Sequence, residues 1–144
     1  MKYLPLILIL FFVSCNSFKK RCIRVIDGDT IVMDDNIHIR LNNLDAPELS
    51  QTYGIQAKQF LSSLVLNKTI TGIKKGKDKY GRTIADLYVK DLWINKLIVD
   101  SGYAYVYLRY DNENLYPDEL QAKNEKRGLW AFPNISPYQF RHKK

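Results

Sequence analysis

The sequence predicts a mainly β chain with helical additions, an α+β domain built as a small closed barrel. Three observations predict it. Five short runs of strand-forming residues are bounded by turn signals. Three further segments carry helix signals, two through apolar residues at helical spacing and one through Pro117 followed by Asp118 and Glu119. The whole chain has 144 residues, one domain's worth.

The first segment stands outside the fold. Residues 1–14 read MKYLPLILILFFVS, with Lys2 ahead of an apolar run from Leu4 to Val13. That run is too short for a membrane span, which needs about 20 apolar residues, and has the length of a signal-peptide core. Ser14 before Cys15 has the form of a bacterial lipoprotein signal, with Cys15 lipidated as the mature N-terminus. Cleavage with plain secretion and an uncleaved anchor are the alternatives; without lipidation a Cys15–Cys22 disulfide is conceivable, but Cys22 reads better as a partly buried strand cysteine. The expected organisation is a signal at 1–14, a polar tether at 15–21, a barrel domain at 22–132 and a tail at 133–144. The product is expected to be exported, either held at a membrane or secreted.

From Cys22, CIRVI alternates apolar and polar residues and ends at Asp27-Gly28, a turn pair. TIVM is the second strand and IHIRL the third, with Ile37, Ile39 and Leu41 on one face. Phe60, Leu61, Leu64 and Val65 then recur at helical spacing, so residues 54–66 read as an amphipathic helix. Residues 69–73 form a β-branched strand, KKGKDKYGR a basic loop, and residues 83–89 the fifth strand. Ile94, Leu97 and Ile98 mark a short helix stopped by Gly102. After a tyrosine-rich stretch, Pro117 opens a third helix expected to reach about Arg127. Trp93, Trp130, Tyr103 and Tyr110 read as packing residues. The Pro-punctuated tail is expected to lie on the surface or be loose.

Lys and Arg total 22 against 15 Asp and Glu, a net charge of +7. Only Lys2 of that excess lies in the signal segment, so the basicity belongs to the domain and favours a polyanionic partner. Hydrophobic residues at 46% exclude a wholly disordered chain, and two Cys with two distant His exclude a disulfide scaffold and a His/Cys zinc site. Small barrels of the OB type commonly bind oligonucleotides.

Three segments hold charge that a plain barrel does not need: Asp27-Gly28-Asp29-Thr30, Arg40 with Leu44-Asp45-Ala46-Pro47-Glu48, and Asp78-Lys79-Tyr80-Gly81-Arg82. Asp29 and Asp45 fall at neighbouring strand ends of a meander, and paired carboxylates with carbonyls suit a hard cation such as Ca²⁺. Pro47 stiffens the approach of Glu48, a carboxylate placed to act as a base. Arg40 and Arg82 offer planar forks that match phosphate oxygens. Each element alone has a plainer reading, Asp-Gly as a turn and a strand Arg as a solvated face. Their joint occurrence in a basic barrel points to phosphodiester chemistry.

The words VIDGDTIVM, IRLNNLDAPE, YGIQAKQFL, DKYGRTIADLYV, INKLIVDSGYAYVY and AKNEKRGLW, in this order, resemble the staphylococcal nuclease (thermonuclease) family over residues 24–130. The resemblance implies a five-stranded OB barrel with three helices and a Ca²⁺-dependent nuclease acting on DNA and RNA. It implies Asp29, Asp45 and the Ala46 carbonyl as metal ligands. Arg40 and Arg82 correspond to phosphate-binding arginines, Glu48 to the general base and Asp27 to a supporting acid. Lys79, Tyr80, Tyr105 and Tyr107 correspond to substrate contacts. Cleavage would release the 5′-oxygen and leave 3′-phosphate ends. Nucleic acid and a membrane, through Cys15, are the implied partners, with no obligate protein partner. After Glu48 the chain departs from the family, since LSQTYG is short and lacks a long Lys-rich loop. The competing function is a catalytically inactive nucleic-acid-binding OB module anchored at the membrane.

Overall fold

In this computed structural model, residues 16–107 and 115–143 are described. Residues 1–14, expected as a signal, and Cys15 and Tyr110 lie outside them. The strands are β1 (Ser17–Val25), β2 (Thr30–Met33), β3 (His38–Leu41), β4 (Leu44–Asp45), β5 (Thr69–Lys77), β6 (Thr83–Val89), β7 (Leu92–Trp93) and β8 (Tyr105–Val106). The helices are α1 (Gly54–Val65), α2 (Ile94–Asp100), α3 (Tyr116–Asn124) and α4 (Pro137–Arg141).

The main sheet runs β3-β2-β1-β5-β6-β7, and a parallel pairing of β3 with β6 closes five of these strands into a barrel. All other pairings in it are antiparallel. Closure leaves the five barrel strands without a free edge. Inward side chains Ile31, Met33, Ile39, Leu41, Ile70 and Leu87 are almost fully buried, and they pack with Leu61 of α1 and Ile94 and Ile98 of α2. The expected α+β barrel is thus what the chain forms.

Several elements differ from the sequence reading. β1 starts at Ser17, and residues 17–21, expected as a tether, pair with β5 from Ser17↔Ile73 to Arg21↔Thr69. The basic residues of that segment sit on exposed or half-exposed positions, so charge does not oppose pairing. β5 runs on to Lys77, past a register shift between Lys74 and Gly76, because β6 supplies a continuous partner from Tyr88 to Thr83. Ile37 is exposed, not inward, because it belongs to the β2–β3 turn, where Asn36 adopts φ 62°. α3 ends at Asn124, ahead of Arg127, and Lys126 at φ 53° is incompatible with helix. The tail forms α4, with Pro137 in its first turn and a reciprocal Ser136–Gln139 capping box.

Cys22 is buried, its Sγ–H contacts the Arg24 carbonyl at 3.5 Å, and burial pushes the thiol pKa up. It is a packing residue. Trp93 is half-buried against the core beside Tyr88, and Tyr103 stacks on Phe60 with centroids 4.1 Å apart.

Asn95 fixes the barrel to α2. It is wholly buried, its Oδ1 accepts the Leu87 N–H at 2.8 Å, and its Nδ2 donates to the carbonyls of Asn42 (3.1 Å) and Ala85 (3.3 Å). Truncation would strand backbone groups in the core. Asn95→Ala is expected to lower the unfolding free energy by roughly 2–4 kcal/mol in urea titrations; a loss below about 1 kcal/mol would show that water substitutes for the amide.

Candidate functional site

Barrel closure assembles the site. β3 pairs with β2 on one side and β6 on the other, so Arg40 lies opposite Thr30 and opposite Ile84. The Asp27–Asp29 turn, β3 and the start of β6 therefore meet around one guanidinium. β4 pairs with β8 and sets Asp45 opposite Tyr105.

Asp29 is held by its surroundings. Its own N–H donates to Asp27 Oδ1 at 3.0 Å, its Oδ1 accepts the Thr30 hydroxyl at 3.0 Å, and its Oδ2 accepts the Ala46 N–H at 2.8 Å. That last bond requires the turn to press on the Ala46 backbone. A Cβ on Gly28 would lie 2.6 Å from the Ala46 Cβ and 2.8 Å from that of Ala57, so only glycine permits the approach.

Arg40 joins the two acids. Its Nη1 donates to the carbonyls of Leu41 (3.1 Å) and Leu44 (2.8 Å) and lies 3.3 Å from Asp29 Oδ2, while Nη2 donates to Asp45 Oδ1 at 3.2 Å. Arg82 is aimed by Asp78. Asp78 Oδ2 accepts Nε at 2.7 Å, and Oδ1 accepts the N–H groups of Tyr80 and Arg82. Arg82 Nη1 reaches the Thr30 hydroxyl at 3.2 Å, completing a chain from Arg82 through Thr30 to Asp29. Lys79 Nζ (5.0 Å) and the Arg82 guanidinium (5.6 Å) both approach the ring of Tyr80, which stands largely in solvent.

Glu48 sits at the rim in a short turn. Its N–H donates to Gln51 Oε1 at 3.2 Å, and its carbonyl accepts the Gln51 N–H at 2.8 Å. A Cβ on Gly54 would fall 1.9 Å from the Glu48 carbonyl oxygen, so the glycine that opens α1 sets how closely this turn packs. The Glu48 carboxylate meets Arg141 of α4, whose Nη1 donates to Glu48 Oε1 at 2.7 Å and to Asp45 Oδ1 at 3.2 Å, while Nη2 donates to Asp45 Oδ2 at 2.8 Å.

The structure thus brings Asp27, Asp29, Arg40, Asp45, Ala46, Glu48 and Arg82 into one connected cluster, with Lys79 and Tyr80 beside Arg82. Tyr105 stands opposite Asp45 in the β4–β8 pair, but its side chain is engaged by the C-terminal segment: its ring meets Trp130 edge-on at 4.6 Å and its hydroxyl donates to Asn134 Oδ1. Burial, with the Glu119 charge, pushes the Tyr105 phenol up to about 12. Tyr107 is anchored through its N–H to the Asn43 carbonyl at 2.9 Å. Sequence reasoning missed four members. Thr30 and Asp78 lie inside the quoted words, and Asp78 stands four residues before the arginine it aims. Gln51 and Arg141 carried no spacing signal.

The electrostatics follow from crowding. Burial first, and then the Asp29 charge, push the Asp27 carboxyl up to about 6. Burial also raises Asp45, and Arg141 and Arg40 offset only part of that. At Asp78 burial is outweighed by the Arg82 and backbone hydrogen bonds, which hold it below the usual carboxylate range. Three guanidinium groups, Arg40, Arg82 and Arg141, thus face five carboxyl groups, Asp27, Asp29, Asp45, Glu48 and Asp78, which leaves room for added positive charge.

Among the described residues no three His, Cys, Asp or Glu side chains are grouped to hold a metal. The donors that the sequence singles out are two carboxylates and one carbonyl, all oxygen, which is the chemistry of a hard divalent cation completed by water or substrate. An ionised carboxylate has about four lone-pair sites. Asp29 uses two of its sites in hydrogen bonds and Asp45 three, so each keeps acceptor capacity. The residues fit such an ion.

A closed five-stranded barrel with helices packed on it, and with buried acids and arginines clustered beside its first turn, defines a protein of the OB-type α+β class. The chain belongs to the family described as staphylococcal nuclease homologue, which it matches over residues 38–132. It is 40% identical to a protein of Escherichia coli O157:H7 named uncharacterized endonuclease, over 99% of both chains. A Haemophilus influenzae protein of the same name is 37% identical, covering 89% of this chain and 76% of its own. A Shigella flexneri protein named micrococcal nuclease is 32% identical, covering 86% and 80%. Membership of this family indicates a nuclease function.

The raised Asp27 pKa makes stability depend on pH. Between its ordinary value near 4 and about 6, the folded state binds more protons than the unfolded one, so stability falls as pH rises through that window. In chelator, Asp27→Asn is expected to raise the unfolding free energy by roughly 1–3 kcal/mol at pH 7 and to lose this advantage by about pH 4. Urea titrations at the two pH values check it, and an equal effect at both would remove the charge explanation.

Proposed function

We propose that this chain is a Ca²⁺-dependent nuclease that hydrolyses phosphodiester bonds of DNA and RNA. The observation that carries the proposal is the buried Asp29–Arg40–Asp45 cluster beside Glu48, reached by Arg82 through Thr30. Asp29, Asp45 and the Ala46 carbonyl are the residues that would hold the ion. Ca²⁺ bound there supplies neutralisation of phosphoryl charge.

The protein's own groups do the rest. Glu48 takes the proton of the attacking water; that falls to Oε2, since Oε1 accepts from Arg141. Arg40 spends three donors on protein partners and Arg82 two, so both keep N–H groups for the phosphoryl oxygens on which charge builds. Asp78 and Thr30 keep Arg82 aimed before substrate arrives. The water oxygen bonds to phosphorus as the P–O5′ bond breaks, and the 5′-oxygen leaves as a hydroxyl with a proton taken from solvent, giving 3′-phosphate ends. Tyr80 offers an exposed ring for a base beside Lys79 and Arg82. A groove of about 390 Å³ lined by Lys74, Lys75, Lys77 and Thr83 extends from the residue next to Arg82, and its lysines suit the flanking phosphates. Binding weakens with salt as these contacts release counterions.

The full-length chain is expected to cut heat-denatured DNA and RNA in Ca²⁺ and not in chelator, and Glu48→Gln is expected to lower kcat about 10²–10⁴-fold. Wild-type activity in Glu48→Gln, from a preparation free of host nuclease, would sink the assignment. Salt-sensitive DNA binding without cleavage would favour the binding-module reading.

We propose further that residues 1–14 are a lipoprotein-type signal and that Cys15 carries the lipid. Mass spectrometry of the protein from a bacterial membrane fraction is expected to find an N-terminal peptide beginning at acylated Cys15. An unmodified Cys15 would exclude the anchor.

A further inference from the structure

The C-terminal segment reaches the site through a series of specific attachments. Trp130 packs on the Tyr105 ring, and Asn134 accepts the Tyr105 hydroxyl while donating to the carbonyls of Leu129 (2.7 Å) and Phe132 (2.8 Å). Gln51 Nε2 donates to the Ile135 carbonyl at 2.6 Å. The same buried amide accepts the Glu48 N–H through Oε1. One side chain therefore ties the backbone of the Glu48 turn to the backbone of the tail. The capping box then starts α4 at a fixed place, and one helical turn later Arg141 projects onto Asp45 and Glu48.

Arg141 is not a surface ion pair of the ordinary kind. It takes both oxygens of Asp45 in a fork and shares one of its nitrogens with Glu48 Oε1. A planar fork matched to a carboxylate fixes direction as well as distance. Its anchor, Asp45, is buried and bonded to Arg40. Glu48, by contrast, lies on a short turn with its carboxylate partly in water. Without a partner its side-chain torsions would be free to scatter the carboxylate over the rim.

We propose that Arg141 is a positioning residue, by which α4 locks the Glu48 carboxylate at a set place relative to Asp45 and so completes the site. The proposal rests on the reading of Glu48 as the base. It gives the tail a task that the short LSQTYG turn cannot perform for itself. The turn is held at its backbone by Gln51 and Gly54, and at its carboxylate by Arg141.

The test compares wild type, Glu48→Gln, Arg141→Ala, Arg141→Lys and the double variant Glu48→Gln/Arg141→Ala, all as full-length chains, with Lys143→Ala as a control of helix charge. Loss of a positioning contact is expected to lower kcat about 10–100-fold in Arg141→Ala while KM changes less than about threefold. Arg141→Lys, which restores the charge but not the fork, is expected to fall between that variant and wild type, and Lys143→Ala to match wild type. In the Glu48→Gln background, Arg141→Ala is expected to cost less than about twofold, because its target has gone. Independently of activity, hydrogen exchange of the amides of residues 48–54 is expected to quicken in Arg141→Ala with the barrel amides unchanged.

The inference is overturned if Arg141→Ala keeps or exceeds wild-type kcat, the latter marking the arginine as a block. It is equally overturned if the loss is as large in the Glu48→Gln background. Should Glu48→Gln itself stay fully active, the site reading fails, and that outcome is distinct from a failure confined to Arg141.

Discussion

Two carboxylates buried side by side repel one another and resist leaving water, and the site depends on the guanidinium of Arg40 that makes their burial tolerable. Its donors reach Asp45 and the carbonyls of Leu41 and Leu44, and it pairs with Asp29. Removing such a partner leaves uncompensated charge in a dry place, which costs far more than the pair gains. The position of Arg40 is in turn a product of topology. Only a strand bonded on both sides, to β2 and to β6, sets one side chain between the first turn of the barrel and the loop that carries Arg82. Fold and site are therefore coupled at this residue, and the same closure that removes the sheet edges assembles the chemistry.

Around Arg40 the supporting contacts are graded by burial. Asp29 is fixed by a hydroxyl and a backbone N–H, and Gly28 makes room for the latter. Arg82 is fixed by a carboxylate four residues away, nearer to solvent. Glu48, the most exposed of the set, needs the longest reach, to a helix more than ninety residues on. The charged centre of the cluster is thus buried and partnered, while the Glu48 carboxylate stands at the edge, in reach of water.

Much of this was legible in the sequence, for identifiable reasons. Strands β2 and β6 could be read to the residue because β-branched and apolar side chains fill them and turn residues bound them. Asp29, Arg40, Asp45, Glu48 and Arg82 stood out because charge in a barrel's turns has few structural uses. What escaped was of another kind. The first residues of β1 and the last of β5 are lysine-rich, and only the partner strand gives them a reason to be extended. Arg141 looks like any arginine in a basic tail. Its meaning lies in where the capping box and the Gln51 bridge deliver it, which is tertiary information.

The early start of β1 has a geometrical consequence at the other end of the chain. The strand pairing begins at Ser17, and only Asn16, whose carbonyl already accepts the Lys74 N–H at 2.7 Å, lies between it and Cys15. An extended residue spans about 3.5 Å. Were an acyl chain attached at Cys15, the domain would ride within roughly one residue pair of the lipid headgroups, closer than a flexible stalk would allow. Lys19, Lys20 and Arg21 follow four to six residues on, about 14–21 Å of extended strand from that anchor, so the strand would have to lie along the surface to bring them to anionic lipid. So short a leash restricts how the barrel can turn, and the orientation of its mouth toward or away from the bilayer would be set by the first strand itself.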